Sequence, residues 1–284
     1  MKRAFILYTA ADAERNGFLA ERYCAAFASL GAEAAVLIVD GKRALSVAAE
    51  LKRLGADVII NRTRSHALAG VLEASGLRVS NPSKVCRIAN DKLLTFGLLR
   101  DTVPMLPTVR AEELGNEPQL GYPFVLKPRG GHGGKGVAMI SSAEEYSAYA
   151  AVYGLKNRIA QPVASELGRD MRVYIIGGKP AAAMLRVASN DFRSNFCLGG
   201  EARFVPLDSL SEDECAIISA VCQRLPLHYA GVDIMRDGGH AVLNEIEDPV
   251  GARMLYTNTD IDPAALHAKF ALEWAEDGRH WRSD

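Results

Sequence analysis

The chain lacks the marks of an exported, membrane-bound or nucleic-acid-binding protein. Its five cysteines (Cys24, Cys86, Cys197, Cys215 and Cys222) are odd in number and form no Cys-x-x-Cys pair. That speaks against a disulfide framework or a zinc site and for reduced thiols in the cytoplasm. No window offers about 18 continuous apolar residues, so no membrane span is expected. The opening MKRAFILYT has a basic flank and a short apolar run, but Asp12 and Glu14 arrive before an export signal of full length could form. It reads as a first strand. A formal net charge of −1 gives no reason to expect a nucleic-acid surface. No internal repeat or low-complexity tract is present.

What remains is an ordinary soluble composition, 49% hydrophobic and 24% charged, over 284 residues. That length is near the point where a single core divides, so two or three packed lobes are expected. The stretch with the most chemistry in it is YPFVLKPRGGHGGKGVAMIS, Tyr122 to Ser141. Phe124-Val125-Leu126 is a short β-favouring run that delivers Lys127 to a strand end, and Val137 to Ile140 is a second. Between them Gly130, Gly131, Gly133, Gly134 and Gly136 put five glycines in seven residues. Such a loop bares its backbone N–H groups to phosphate oxygens, and Lys127 and Lys135 add charge. It is not a Walker A loop, because no Ser or Thr follows Lys135, nor a dinucleotide fingerprint, because a strand follows rather than a helix. Two readings stand: a flap over phosphates, or a tight hairpin with a strand-end lysine. His132 reads as a tolerated insertion in the loop rather than a base.

Before this stretch, residues 3 to 80 alternate strand and helix and predict a small parallel sheet. Asn61 and Arg62 follow its third strand, where open α/β sheets bind ligands. They are candidate substrate contacts; the plainer reading is a solvated loop whose Ser65 caps the next helix. Cys86 to Arg100 reads helical, with Asn90 or Asp91 near its start. After the glycine-rich hairpin come a helix near Ala143 to Tyr153 and a strand, Ile159 to Gln161, ended by Pro162. The rest predicts an antiparallel sheet, a helix over Glu212 to Arg224, a hairpin around Asp237-Gly238-Gly239, and a final helix from Asp262-Pro263 to about Trp274. The expected fold class is therefore α/β (α+β), divided at 1–85, 86–160 and 161–284.

The hairpin GVDIMRDGGHAVLNEIED carries three carboxylates. Glu245 and Glu247 are two apart and share a strand face. With a three-residue turn at 237–239, Asp233 falls opposite Leu243 and diagonal to Glu245, roughly 7–8 Å away; a two-residue turn breaks that parity. Carboxylates so clustered call for a hard divalent cation such as Mg²⁺. The alternative is a solvated acidic strand end.

Several motifs then occur in a telling order: DKLL at 91–94, FVLKPRGGHGGKGV from Phe124, AQPV at 160–163, RDMRVYIIGGKPAAAMLR from Arg169, DFRSN at 191–195 followed by Gly199-Gly200, GVDIM, and the pair Glu245 and Glu247. Together they resemble the ATP-grasp superfamily, and within it the RimK-like glutamate-ligase branch of carboxylate–amine ligases, over about residues 85–250. The resemblance implies an ATP-grasp fold and an ADP-forming ligase that joins a carboxylate to an amine through an acyl phosphate, with ATP and Mg²⁺ (or Mn²⁺) as cofactors. It implies phosphate contacts from Lys92, Lys127 and the glycines, adenine bracketed by Gln161, Pro162 and Val163, and Asp170 at a motif position of the nucleotide site. Metal ligands would be Asp233, Glu245 and Glu247, and catalytic side chains Arg172, Arg193 and Asn195. The partners would be small-molecule or peptide carboxylates and amines, with no nucleic acid or membrane, and a homo-oligomer is the common arrangement for such enzymes.

Three positions depart from the family pattern. Pro162 replaces an acidic residue, Glu247 replaces the usual Asn, and Asp248-Pro249-Val250-Gly251-Ala252-Arg253 replaces the usual Ser-Pro-Gly. Arg253 is a candidate for a substrate carboxylate or a surface salt bridge. Taken singly, Lys92 also reads as an exposed helix residue, Arg172 and Arg193 as ion pairs within a β-lobe, Asn195 as a turn cap and Asp170 as a cap on the Gly168 turn. A non-catalytic ATP-binding subunit and a small-molecule kinase are the rival functions, the first favoured by Glu247.

Overall fold

The computed structural model describes residues 1–115, 119–131, 133–188 and 200–277. Its first part is β1 (Arg3–Tyr8), α1 (Ala10–Arg15), α2 (Gly17–Ser29), β2 (Glu33–Ile38), α3 (Ala44–Arg53), β3 (Val58–Asn61), α4 (His66–Ala74) and β4 (Val79–Ser80). The four strands pair in parallel in the order β2-β1-β3-β4. Continuous apolar runs such as Phe5 to Tyr8 suit strands covered on both faces. One face packs on α3 and α4 through Leu51, Leu68 and Leu72, the other on α2 through Tyr23 and Phe27.

The segment expected to be helical over Cys86 to Arg100 forms two helices, α5 (Ser83–Ala89) and α6 (Lys92–Leu99), the second starting at Asp91. Asn90 closes the first, and the Asp91 carboxylate caps the second by accepting from the N–H groups of Leu93 and Leu94 at 3.1 and 3.2 Å. A side chain that satisfies the free N–H groups of a new helix starts one at that point.

Next come β5 (Val109–Arg110), β6 (Phe124–Pro128), β7 (Ala138–Ile140), α7 (Ala143–Tyr153) and β8 (Arg158–Pro162), an antiparallel sheet in the order β5-β8-β6-β7. A third sheet, β11-β10-β9-β12-β13, is built from β9 (Arg169–Ile176), β10 (Lys179–Val187), β11 (Glu201–Val205), β12 (Tyr229–Asp237) and β13 (His240–Glu247). Helix α8 (Glu212–Arg224) intervenes, and α9 (Arg253–Asn258) and α10 (Pro263–Asp277) follow. Helices α5, α6 and α8 share a core with this third sheet, including Val85, Leu99, Val173, Ile217 and Ile246. The fold class is α/β (α+β) as expected, and the four described cysteines are free. No helix among the described residues is long and apolar enough to cross a membrane.

Helix α10 touches β9 of the third sheet and also returns to the first part of the chain. It packs on α2, and Ala264, Ala268 and Ala271 join Tyr8, Tyr23 and Phe27 in one core. A buried polar seam fixes this return. His267 bonds Tyr23 Oη through Nδ1 at 2.7 Å and Ser80 Oγ through Nε2 at 2.8 Å, and Ser80 Oγ also meets His228 Nδ1 at 3.0 Å. Burial holds both imidazoles below the ordinary histidine range, His228 at about 3. The unfolded chain takes up protons below about pH 6.5 while the native chain does not, so stability falls as pH drops from there toward about 3. The expected slope approaches about 1.4 kcal/mol per pH unit for each histidine, read from denaturant melts across that window. His228→Gln, which does not titrate, should flatten part of the slope, and a wild-type stability independent of pH there would contradict the buried neutral pair.

Candidate active site

The acidic hairpin reaches the expected arrangement by another route. Its turn has two residues, Gly238 and Gly239, with Asp237 paired to His240. Both glycines have positive φ, 58° and 83°, as the tight turn requires. That turn alone would set Asp233 opposite Asn244 and send Glu245 to the other face. A β-bulge between Asp233 and Ile234 adds Asn244 as an extra residue, so Asp233 lies directly opposite Glu245 rather than diagonal to it. Parity is restored by the bulge, not by the turn.

The neighbouring strands bring cations to the same face. Arg172 on β9 lies opposite Asp233, and Arg186 on β10 lies opposite Asp170. Arg172 donates from Nε and Nη2 to the two oxygens of Asp233 at 2.7 and 2.6 Å and also pairs with Glu247. Arg186 donates to Asp233 Oδ2 at 2.6 Å and forks onto Asp170. Lys92 Nζ lies 3.1 Å from Glu245. Four carboxylates thus face four cations once Lys127 is counted, and Asp170, Arg172, Arg186 and Asp233 are all buried. Burial alone pushes the Asp233 carboxyl up, but the two guanidiniums reverse this and hold it at about 2. Glu245 is likewise pushed up by burial and brought below its ordinary value, chiefly by Lys92.

The expectation that a metal must neutralise this cluster is therefore corrected in one respect. Arginines already satisfy Asp233, and among the described residues no group of three His, Cys, Asp or Glu side chains stands ready to hold a metal. Glu245 and Glu247 are half-buried at cavity walls and offer the oxygen donors that suit a hard cation. Asp233 would contribute only by releasing an arginine. The donor set fits Mg²⁺ to that extent.

A cavity of about 870 Å³, open to solvent, lies between the second and third sheets. Lys92, Lys127, Gly130, Gly131, Gly133 and Gly134 line one side, Pro162 and Val163 another, and Asp170, Arg186, Asn244 and Glu245 the floor. Lys127 donates to Asn244 Oδ1 at 3.2 Å, and burial lowers its ammonium to about 8. Lys92 is the first residue of α6 and donates to the Gly131 carbonyl at 3.2 Å; the Asp91 cap is itself gripped by Arg129 at 2.8 Å. Two candidates stand apart from this cavity. Gln161 lies opposite Val125 in the sheet, but its amide donates to Thr108 Oγ1 at 2.7 Å and its side chain does not line the cavity. Gly136 shapes the loop instead: its φ is +71°, and an added Cβ would meet Pro128 at 3.0 Å.

A second, wider cavity of about 1430 Å³ shares Gly133, Lys135 and Arg186 with the first. Arg172, Glu247, Arg253 and Arg62 line it, joined by Arg15 and Arg64 from the first part of the chain. Arg62 is buried and donates to the Val250 carbonyl at 2.8 Å. Asn61 does not reach this cavity; its side chain accepts from Thr63 and shapes the turn, while Ser65 caps α4. Arg193 and Asn195 lie outside the described residues. Sequence reasoning missed Arg186 and Asn244. A lone arginine in the apolar strand Ala181 to Val187 signalled the first; the two-glycine turn, with its parity cost, signalled the second.

Comparison with proteins of known structure gives the class first. D-alanine–D-alanine ligase from Bacillus anthracis, solved with ATP, superposes with a TM-score of 0.72 at 16% identity, covering 98% of each chain. The fold is that of the ATP-grasp ligases. In sequence, a probable alpha-L-glutamate ligase from Alcanivorax borkumensis is 31% identical over 245 residues, covering 83% of this chain and 78% of its own. An uncharacterized Mycoplasma genitalium protein is 28% identical over 257 residues, 89% of this chain and 86% of its own. Residues 102–269 match the RimK-like ATP-grasp domain, and the chain belongs to that family. Family membership makes it an ATP-dependent carboxylate–amine ligase.

The ion network makes a distinct prediction for Asp233. If it were only a spare metal ligand in a crowded acidic site, Asp233→Asn would leave the metal-free protein as stable as before or more so. Held between two buried guanidiniums, it should instead cost about 3–5 kcal/mol when neutralised, because two cations lose their shared partner. Denaturant melts without metal separate the two.

Proposed function

We propose that the chain joins an amino-acid or peptide-type carboxylate to an amine through an acyl phosphate, in the cytoplasm. The observation that carries this reading is the pair of adjoining cavities, one lined by lysines and glycines, the other by arginines, meeting at Arg186 and Lys135. In this reading the segments 86–160 and 161–284 close on ATP, and 1–85 supplies part of the substrate wall. Pro162 and Val163 flank adenine, while Lys92, Lys127 and the glycine loop hold phosphates. Glu245 and Glu247 would hold Mg²⁺, with Asp233 behind them, and the ion would supply neutralisation of the phosphate charge.

Arg172 and Arg253 orient the substrate carboxylate, and Arg62 fixes the loop that carries Val250. A carboxylate oxygen attacks the γ-phosphorus and ADP leaves. The amine nitrogen then attacks the carbonyl carbon, phosphate departs, and the nitrogen loses a proton. Arg193 and Asn195 are assigned to the acyl phosphate by motif. These steps need positioning and charge neutralisation, and no Ser-His-Asp or Cys-His set is required for them.

A non-catalytic ATP-binding role is favoured by one observation, the ion pair of Glu247 with Arg172, which ties up a metal position and a substrate arginine together. Purified protein with ATP, Mg²⁺ or Mn²⁺ and pooled carboxylates and amines decides. The expected result is ADP, phosphate and a product lighter by one water than its two parts. ATP bound without ADP under both metals would favour the non-catalytic role, and ADP with a stable phosphorylated compound would mean a kinase. Lys127→Met should lower kcat/KM for ATP about 100-fold or more, measured by ADP release, because it removes a buried charge aimed at the phosphates.

A further inference from the structure

The far end of the glycine-rich loop is held from outside both cavities. The Gly136 carbonyl accepts from Tyr149 Oη at 3.2 Å and from Arg158 Nη1 at 3.4 Å. Arg158 is the first residue of β8 and the register partner of Pro128, the last residue of β6, so it stands beside both ends of the loop. Its neighbour Asn157 uses its carbonyl to accept from the Arg129 N–H at 2.9 Å, at the near end. The guanidinium is itself fixed: Nε donates to the Gly154 carbonyl at 3.0 Å, and the group lies 5.1 and 5.9 Å from the ring centres of Tyr149 and Tyr153. Its charge is thus directed at loop and helix carbonyls, and hydrogen bonds from a charged donor are stronger than neutral ones. Neither Tyr149 nor Arg158 lines the first or second cavity, whereas Gly133, Gly134 and Lys135, just before the held carbonyl, do.

We propose that Tyr149 and Arg158 are positioning residues for phosphate binding: by clasping the Gly136 carbonyl they fix the exit of the glycine-rich loop, so that Lys135 and the loop N–H groups meet the terminal phosphates of ATP already ordered. The inference rests on the reading of the first cavity as the nucleotide site. Glycines lose more conformational freedom on ordering than any other residue, and a loop ordered only by its ligand takes that loss out of the ligand's affinity. A carbonyl gripped beforehand removes part of the loss. Gly136 admits the grip at a φ of +71°, where an added Cβ would lie 3.0 Å from Pro128 and 3.6 Å from Arg158 Nη1. The near end is tied separately to α6, where the Lys92 N–H donates to the Arg129 carbonyl at 2.9 Å. Because the base lies along Pro162 and Val163 in this reading, the clasp acts on the phosphates and not on adenine.

The test ranks ATP and AMP by displacement of a fluorescent ATP analogue from the full chain in Mg²⁺, with the unfolding midpoint of each variant measured without nucleotide. Arg158→Met should weaken ATP about five- to tenfold and Tyr149→Phe about threefold, while AMP changes by less than about twofold in either. Unfolding midpoints should stay within about 2 °C of wild type. Arg158→Lys, which keeps a charged donor, should recover most of the ATP affinity. Unchanged ATP affinity in both variants overturns the proposal. So does an equal loss for AMP, which would mean that the pair shapes the whole nucleotide cavity, or a loss of ATP affinity matched by a fall in the unfolding midpoint, which would mean that it only holds the lobe together. The nucleotide and ligase readings fail in other ways: a wild-type chain that binds no ATP overturns the nucleotide site and the clasp with it, whereas the expected pattern without condensation of any carboxylate and amine overturns the ligase alone and leaves the clasp standing.

Discussion

The carboxylate of Asp233, clasped by Arg172 and Arg186 on the face of the third sheet, is the interaction on which the site depends. It is fully buried, so each charge there persists only because the others do. The three strands that supply these residues are fixed in register by it: a slip of one residue along β9 would exchange Arg172 for an apolar neighbour and leave Asp233 with Arg186 alone. The cluster orders Glu247 through Arg172 and sets Glu245 opposite Asp233. Lysines from α6 and β6 then approach Glu245 and Asn244 from across the cavity. The site is therefore charge-balanced before any ligand arrives, and a ligand must exchange partners within it rather than fill an empty acidic hole.

A second polar seam ties this sheet to the first. Asn81 donates to Asp248 Oδ1 at 2.6 Å and accepts from the N–H groups of His228 and Tyr229, while Arg62 holds Val250. The turn after Glu247 is thereby anchored to the end of the parallel sheet. Burial raises the Asp248 carboxyl to about 6, a value that fits its enclosed position beneath that turn. With α10 packed on α2, this seam sets Arg15, Arg62 and Arg64 against Arg253, which is how residues far apart in sequence come to share one cavity.

Much of this was legible in the chain. The alternation of strands and helices located the parallel sheet, and the glycine-rich hairpin identified the lysine strand and loop that line the first cavity. The spacing of Glu245 and Glu247 put both on one face. The rest depended on partners that spacing does not reveal. A bulge at Asn244 cannot be read from alternation, since it is the one residue that breaks it. The cations that neutralise Asp233 lie 61 and 47 positions away on other strands, so a carboxylate cluster looked like a metal site alone. Gln161 was assigned by motif to adenine; its place opposite Val125 gives it the sheet face of Lys127, but the hydrogen bond that takes its amide to Thr108 is a tertiary contact that spacing does not reveal. Asp91 was legible as a helix start, but not the two-helix break it causes.

The most direct test of this account is a double-mutant cycle on the unfolding free energy, with Asp233→Asn, Arg186→Gln and the pair together, without nucleotide or metal. A preassembled charge lattice predicts that the two substitutions are far from additive, with a coupling of about 2–3 kcal/mol. Effects that add to within about 0.5 kcal/mol would contradict it, and would mean that Asp233 awaits a metal rather than holding the sheet.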